Sequence, residues 1–241
     1  MVGFILHSAL LTPYFSWKST HRRHHIYANN LAKDNNYVPP QREEYAASLM
    51  FTAEKLEKLE ELTEDVPVVI FLRIAMQQLL GFPWHLLSNI TASPGSLYRK
   101  QSKSLLGNSH FLPTSTLFRP EEAHLILASD LGIGFAAYLL YLASQKNGFP
   151  VVFLLYIQPY LWVNHWIVAI TYLHHTHPKL PKYQPEAWSF MKGALATVDR
   201  EFGWVGKHMF HNIIEYHVIH HLFSYVFPCF ILSSRHLQQY Y

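Results

Sequence analysis

Cysteine is all but missing: Cys229 is the only one in 241 residues. That excludes an internal disulfide framework, a cysteine zinc ribbon and an iron–sulfur cluster. Charge is scarce as well. Charged residues make up 15% of the chain and hydrophobic residues 50%, whereas a soluble domain carries about 25% charged residues. The balance excludes a disordered chain and argues against an ordinary cytosolic globule. A net charge of +3 without a long basic run leaves no nucleic-acid footprint. No H-E-x-x-H occurs, so a zinc peptidase has little support. What the chain has in excess is histidine, 17 residues. Histidine without cysteine points to a transition metal held by imidazole.

Two segments, 123–143 and 150–173, are long and apolar enough to span a bilayer. The first measures about 31 Å as a helix, and Pro159 is expected to kink the second. A linker over 144–149 makes the pair a tight helical hairpin. Twelve lysines and arginines precede the hairpin, six follow it and only Lys146 lies in the linker. By the positive-inside tendency both flanks are cytosolic and the linker luminal. The opening VGFILHSALL has no charged lead, so a cleaved secretory signal is not expected. A third apolar stretch, 66–90, contains Arg73, Gln77, Gln78 and the Phe82-Pro83-Trp84 break. An arginine at the bilayer centre costs about 2.5 kcal/mol or more, so an interfacial or re-entrant helix is expected there. In 53–64, Leu56, Leu59 and Leu62 at helical spacing predict a solvated helix resting on a neighbour. The fold class is therefore all-α integral membrane: two transmembrane helices, interfacial helices and a cytosolic helical cap that carries the histidine clusters.

His21-Arg22-Arg23-His24-His25 and His217-Val218-Ile219-His220-His221 share the pattern H-x-x-H-H. On a helix, positions i, i+3 and i+4 lie on one face, so each cluster offers three imidazoles to one small volume. Chance would supply about 0.1 such clusters at this histidine content. A third cluster, His174-His175-Thr176-His177, sits where the second span ends. All three fall on the cytosolic flanks, as a polynuclear site requires. If 66–90 crossed the bilayer, the two H-x-x-H-H clusters would lie on opposite faces and could not share a metal. Neutral imidazoles suit zinc, copper, iron or nickel, and six or more exceed what one tetrahedral zinc uses. Two metals, with a redox pair such as di-iron leading, fit this ligand set. The alternative is a basic juxtamembrane loop of solvated imidazoles. His7, His85, His110, His124 and His236 stand alone and are expected at surfaces or interfaces. His165 and Asp130, inside the spans, are expected to be packed or tunnel residues and not ligands.

The residues also carry a resemblance. Pro13-Tyr14-Phe15-Ser16-Trp17-Lys18 leading into His21–His25 resembles the second histidine box of membrane fatty acid desaturases. The run from Tyr160 to Thr176 resembles the segment between boxes. Asp199-Arg200-Glu201-Phe202-Gly203, then His211-Asn212-Ile213-Ile214-Glu215 and His217–His221, resemble the third box and its approach. The likeness covers 1–221, a partial desaturase domain, and is greatest to the fungal Δ12 (oleate, omega-6) branch. It leaves 222–241 as a divergent apolar tail, and Tyr216 stands where the relatives carry threonine. The resemblance implies a non-haem di-iron centre, dioxygen as oxidant, and electrons from cytochrome b5. It implies His21, His24, His25, His217, His220 and His221 as iron ligands, with His175 as the extra ligand between boxes. His174 stands where the family often has glutamine and is left out of the ligand set.

Glu215 and Asp199 are candidates for partners that fix imidazole tautomers; for Asp199 the alternative is a surface ion pair. An unactivated methylene is too weak an acid for any side-chain base, so the cofactor must carry the hydrogen abstraction. The function implied is insertion of a cis double bond, of Δ12 type, into an oleoyl chain bound to phospholipid or CoA. The chain would be a multi-pass protein of the endoplasmic reticulum with its histidines cytosolic. A related acyl hydroxylase or acetylenase, or an inactive desaturase-like membrane protein, are the alternatives. The family's first box, of the form H-E-C-G-H, would precede Met1, so an incomplete and inactive gene product is expected.

Overall fold

The computed structural model describes every residue except 37, 39, 40, 49, 101–103 and 225–241. Most of the divergent tail, with Cys229 and His236, therefore lies outside the described residues. The described elements are helices: α1 (Val2–Ala9), α2 (Tyr14–Tyr27), α3 (Arg42–Ser48), α4 (Ala53–Thr63), α5 (Pro67–Ser88), α6 (Ala123–Asn147), α7 (Phe149–Val152), α8 (Gln158–His175), α9 (Phe190–Leu195), α10 (Gly203–Met209) and α11 (His217–Leu222). Among the described residues the one extended pairing is an isolated parallel bridge between Asn30 and Tyr183.

Among the described residues, three helical stretches are long and apolar enough to cross a membrane: Pro67–Ser88, Pro120–Asn147 and Phe149–His175. Their outward faces are bare hydrocarbon, with Phe71 69%, Leu131 67% and Leu155 76% exposed. That is the inside-out arrangement lipid demands, because acyl tails solvate leucine and phenylalanine as well as a core does.

The hairpin is tighter than the linker at 144–149 suggests. α6 runs on to Asn147, and the reversal rests on Gly148 at φ 85, ψ 148, a backbone region open essentially to glycine alone. Pro159 lacks the N–H that would bond the Leu155 carbonyl. The helix accommodates it by widening into a π turn over Phe153–Ile157 just before α8, as such bulges do. Pro83, expected to break the third apolar stretch, is instead contained within an unbroken α5. In α4 the Thr52 hydroxyl caps the helix by accepting from Lys55 N at 3.3 Å. Only Leu56 of its leucine stripe is buried; Leu59 and Leu62 remain exposed, so the helix rests on its neighbour by one turn.

Burial concentrates where α2, the C-terminal end of α8, α9 and α11 meet. Much of what is buried there is polar: Thr20, His24, His25, Asn29, Asn30, Asp34, Asn35, His174 and His221 among others. Beside it a small apolar cluster of Ala92, Leu117, Phe118 and Ile126 supports the root of α6. α2 is fastened to α6 through Ser129, whose hydroxyl accepts from Phe15 N at 3.0 Å, and through Ser19, which donates to Glu122 at 2.6 Å. The return from α8 to α11 is tied back by Val198 N to His174 O at 3.1 Å and by Arg200 Nε to Leu173 O at 2.7 Å.

Candidate metal centre

All seven imidazoles implied as ligands arrive in one volume. α2 presents His21 and His25 one turn apart, with their Nε2 atoms 3.0 Å from each other. His220 of α11 completes this group, its potential ligand atoms all within 4.8 Å of one another. His24, His175 and His221 form a second group by the same measure, and all three are buried. The groups adjoin, since the His25 and His221 rings stack at 4.5 Å. His217 stands beside the second group, its Nε2 3.1 Å from Nε2 of His175. Helical period explains the division: i and i+4 of α2 feed one group, while i+3 feeds the other.

The donor set fits a metal. His221 is 1% exposed, yet neither of its ring nitrogens has a hydrogen-bond partner. Nδ1 of His21, His25 and His217 is also buried and unpaired. Each such orphan costs about 1–3 kcal/mol unless something satisfies it. Nitrogens 3.0 Å apart have the separation of neighbouring ligands on an ion with bonds of about 2.0–2.1 Å. Burial also favours the neutral, metal-binding form of His21, His25, His217, His220 and His221. Burial, followed by the charges of neighbouring histidines, lowers His21 to about 3 and His217 to about 2. His220 is lowered to about 4, and His25 and His221 lie well below the usual imidazole range for the same reasons.

The remaining sequence candidates act differently. His174, fully buried, directs Nδ1 at the Ile170 carbonyl (2.6 Å) and Nε2 at the Ile214 carbonyl (3.0 Å), so both nitrogens are engaged by backbone. Asp199 accepts from Val218 N at 2.8 Å and holds the first turn of α11. Glu215 accepts from Phe202 N at 3.3 Å and fills the space left open by Gly206. The bonds of both carboxylates thus run to backbone amides and place α11 as a whole. Among the described residues, the carboxylate that meets a ring of these clusters is Asp34, whose Oδ1 lies 3.0 Å from His24 Nδ1. Sequence reasoning missed it, although Asn29-Asn30 and Asp34-Asn35-Asn36 form a polar run close behind the first cluster. His110, expected at a surface or an interface, is 0% exposed, with Nε2 3.1 Å from the Thr20 hydroxyl.

Residues 1–236 match the family model described as fatty acid desaturase. The chain belongs to the fatty acid desaturase family. It is 39% identical to an oleate hydroxylase of Claviceps purpurea, over 93% of this chain and 48% of that protein. It is 40% identical to a Delta(12) fatty acid desaturase of Mortierella isabellina, over 92% of this chain and 54% of that protein. A Delta(12) acyl-lipid conjugase of Impatiens balsamina is also 40% identical, over 93% and 53%. The chain spans about half the length of the curated relatives it matches. No solved structure matches it. The desaturase family is generally iron-dependent, and the histidine groups of this member could hold such a metal.

An apolar cleft of about 210 Å³ lies between α5 and α8, beside the histidine clusters. Trp17, Gly81, Phe82, Trp84, Ile167 and Val168 are among the residues that line it. Trp17 belongs to both sites, because its indole stacks on His21 with centroids 5.3 Å apart and planes 14° from parallel.

Proposed function

We propose that the chain carries histidine boxes of a Δ12-type acyl desaturase that introduces a cis double bond into oleoyl chains on phospholipid or CoA. The observation that carries this reading is the convergence of seven imidazoles, five of them buried, from three separate helices on one volume. His21, His25 and His220 would hold one iron of a di-iron pair and His24, His175 and His221 the other, with His217 beside them. Bound there, the metal would supply the dioxygen-dependent oxidising power that no side chain of this protein possesses. The protein's own part is orientation and exclusion. The cleft walls suit a hydrocarbon chain, and Trp17 fixes one end of that wall against a ligand ring. Electrons from cytochrome b5 and residence in the endoplasmic reticulum, histidines to the cytosol, complete the reading.

Convergence also bears on topology. His25 and His175 share a centre, so an even number of crossings separates them. α6 and the α7–α8 stretch supply two. α5 then begins and ends on the histidine side, lying along the interface with Arg73 at its polar edge. Its C-terminal turns pack Phe82 and His85 against Trp17.

The test is product analysis in a host rich in oleate. Residues 1–221 replace the matched segment of the Mortierella isabellina enzyme, and lipids are analysed by mass spectrometry. Linoleate is expected, and His220→Ala should abolish it, because an open ligand position disables the centre. A second reading, hydroxylation, is favoured by the likeness to an oleate hydroxylase; a hydroxy-oleate product would replace the first reading with it. Unchanged linoleate from His220→Ala would remove that residue from the ligand set.

A further inference from the structure

We propose that Asp34 is the positioning residue of the His24–His175–His221 group, presenting Nε2 of His24 to the metal by holding its Nδ1–H. The inference rests on the metal-centre reading above and extends it to a residue outside the histidine clusters. A carboxylate only accepts, so the 3.0 Å contact from His24 Nδ1 to Asp34 Oδ1 puts the ring proton on Nδ1. The Nε2 lone pair is then free to face His175 and His221. Such outer carboxylates set both the tautomer and the ring angle of a metal-bound imidazole.

Asp34 is itself held rigidly. It is 1% exposed. Oδ1 also accepts from Asn36 N at 3.0 Å, and Oδ2 accepts from Asn29 N at 3.1 Å. The loop is closed by Asn30, whose carbonyl accepts from Asp34 N at 3.0 Å and whose side-chain oxygen accepts from Ala32 N and Lys33 N at 2.9 and 3.0 Å. A further tie links the loop to the far side of the centre. Asn29, at φ 61, donates to the carbonyls of Gly193 and Ala196 at 2.9 and 2.8 Å and accepts from Lys182 Nζ at 3.1 Å. Asp34 therefore connects the ligand helix α2 to α9, which packs on α11. The carbonyls that Asn29 bonds lie more than 160 residues away in sequence, and each link is a direct hydrogen bond.

The test uses the full chain in nanodiscs with Co²⁺ as the probe, and ¹⁵N-histidine spectra of the metal-free protein. In the wild type, His24, assigned by its loss in His24→Gln, should be the Nδ1–H tautomer. Asp34→Asn should convert it to a tautomer mixture and raise the Co²⁺ dissociation constant about 10–100-fold. In a His24→Gln background, Asp34→Asn should cause no further loss, since its action runs through that ring. Asn29→Gly keeps the positive φ and removes the tie to α9; it should weaken Co²⁺ binding in the same direction and serves where Asp34→Asn does not fold. An unchanged tautomer with unchanged affinity, or losses that add in the double variant, would overturn the role of Asp34 while leaving the metal centre standing. A wild-type chain that holds the Nδ1–H tautomer of His24 yet binds no Co²⁺ would overturn the metal-centre reading, and a metal-positioning role with it.

Discussion

At the residue scale, burial favours the neutral form of the imidazoles in the histidine clusters, and His110 shows the same physics outside them. It is fully buried against Thr20 and Leu86, and burial, followed by the charge of His85, holds it well below the ordinary value of 6.5. An unfolded chain takes up that proton near 6.5 and the folded one does not, so stability is complete above that pH and falls as the pH drops below it. His110→Gln should therefore make the acid limb of the metal-free protein shallower by up to about 1.4 kcal/mol per pH unit. Unfolding midpoints in micelles between pH 7 and pH 5 measure it, and parallel curves would refute it. The burial of His110 could not be read from its neighbours in the chain. Ser109 and Phe111 give no helical face, and the partner that buries it, Thr20, lies 90 positions away.

At the element scale, sequence pattern predicted helices better than it predicted their ends and contacts. The hydrophobic runs of α6 and α8 were legible because lipid-facing segments need only be apolar. The hairpin's compression onto Gly148 was not, since Ser144, Gln145, Lys146 and Asn147 read as a polar linker while their backbones continue the helix. Gly148→Ala should cost about 1–3 kcal/mol, the usual penalty for a side chain at that φ and ψ. Gly134→Ala, whose new methyl meets open space inside α6, should be neutral or stabilising. Thermal unfolding of both variants in one detergent decides the matter; equal midpoints would show that the reversal tolerates a side chain. Pro83 teaches a related point. A proline removes one donor, but a helix of 22 residues with packing against α8 at Gly81 absorbs that loss.

At the scale of the whole molecule, the histidine side and the hairpin apex should face opposite compartments. In a Cys229→Ser background, Lys207→Cys beside the centre and Lys146→Cys at the apex each place one thiol at an exposed position. In sealed, cytosol-side-out microsomes a membrane-impermeant maleimide should label the first and reach the second only after detergent. Equal labelling of both without detergent would place the apex and the centre on one side and undo the crossing of α6 and α8. Asn89-Ile90-Thr91, a glycosylation sequon by sequence, is a poor probe because Asn89 is 0% exposed and its amide donates to Asn35 O at 3.0 Å.

The sequence by itself determined the chemistry available to this protein: an imidazole-rich, cysteine-poor ligand set, apolar helices for lipid, and motifs that mark a desaturase. Those properties are local, carried by residue type and by spacing within one or two helical turns. Only the tertiary structure decided which imidazoles stand together. It divided α2 between two groups, set His217 beside His175, and turned both nitrogens of His174 to the backbone. It also placed Asp34, and not Asp199 or Glu215, against a ring of the histidine clusters. Such choices depend on contacts between segments distant in the chain, where helical period says which face a residue occupies but not what packs against it.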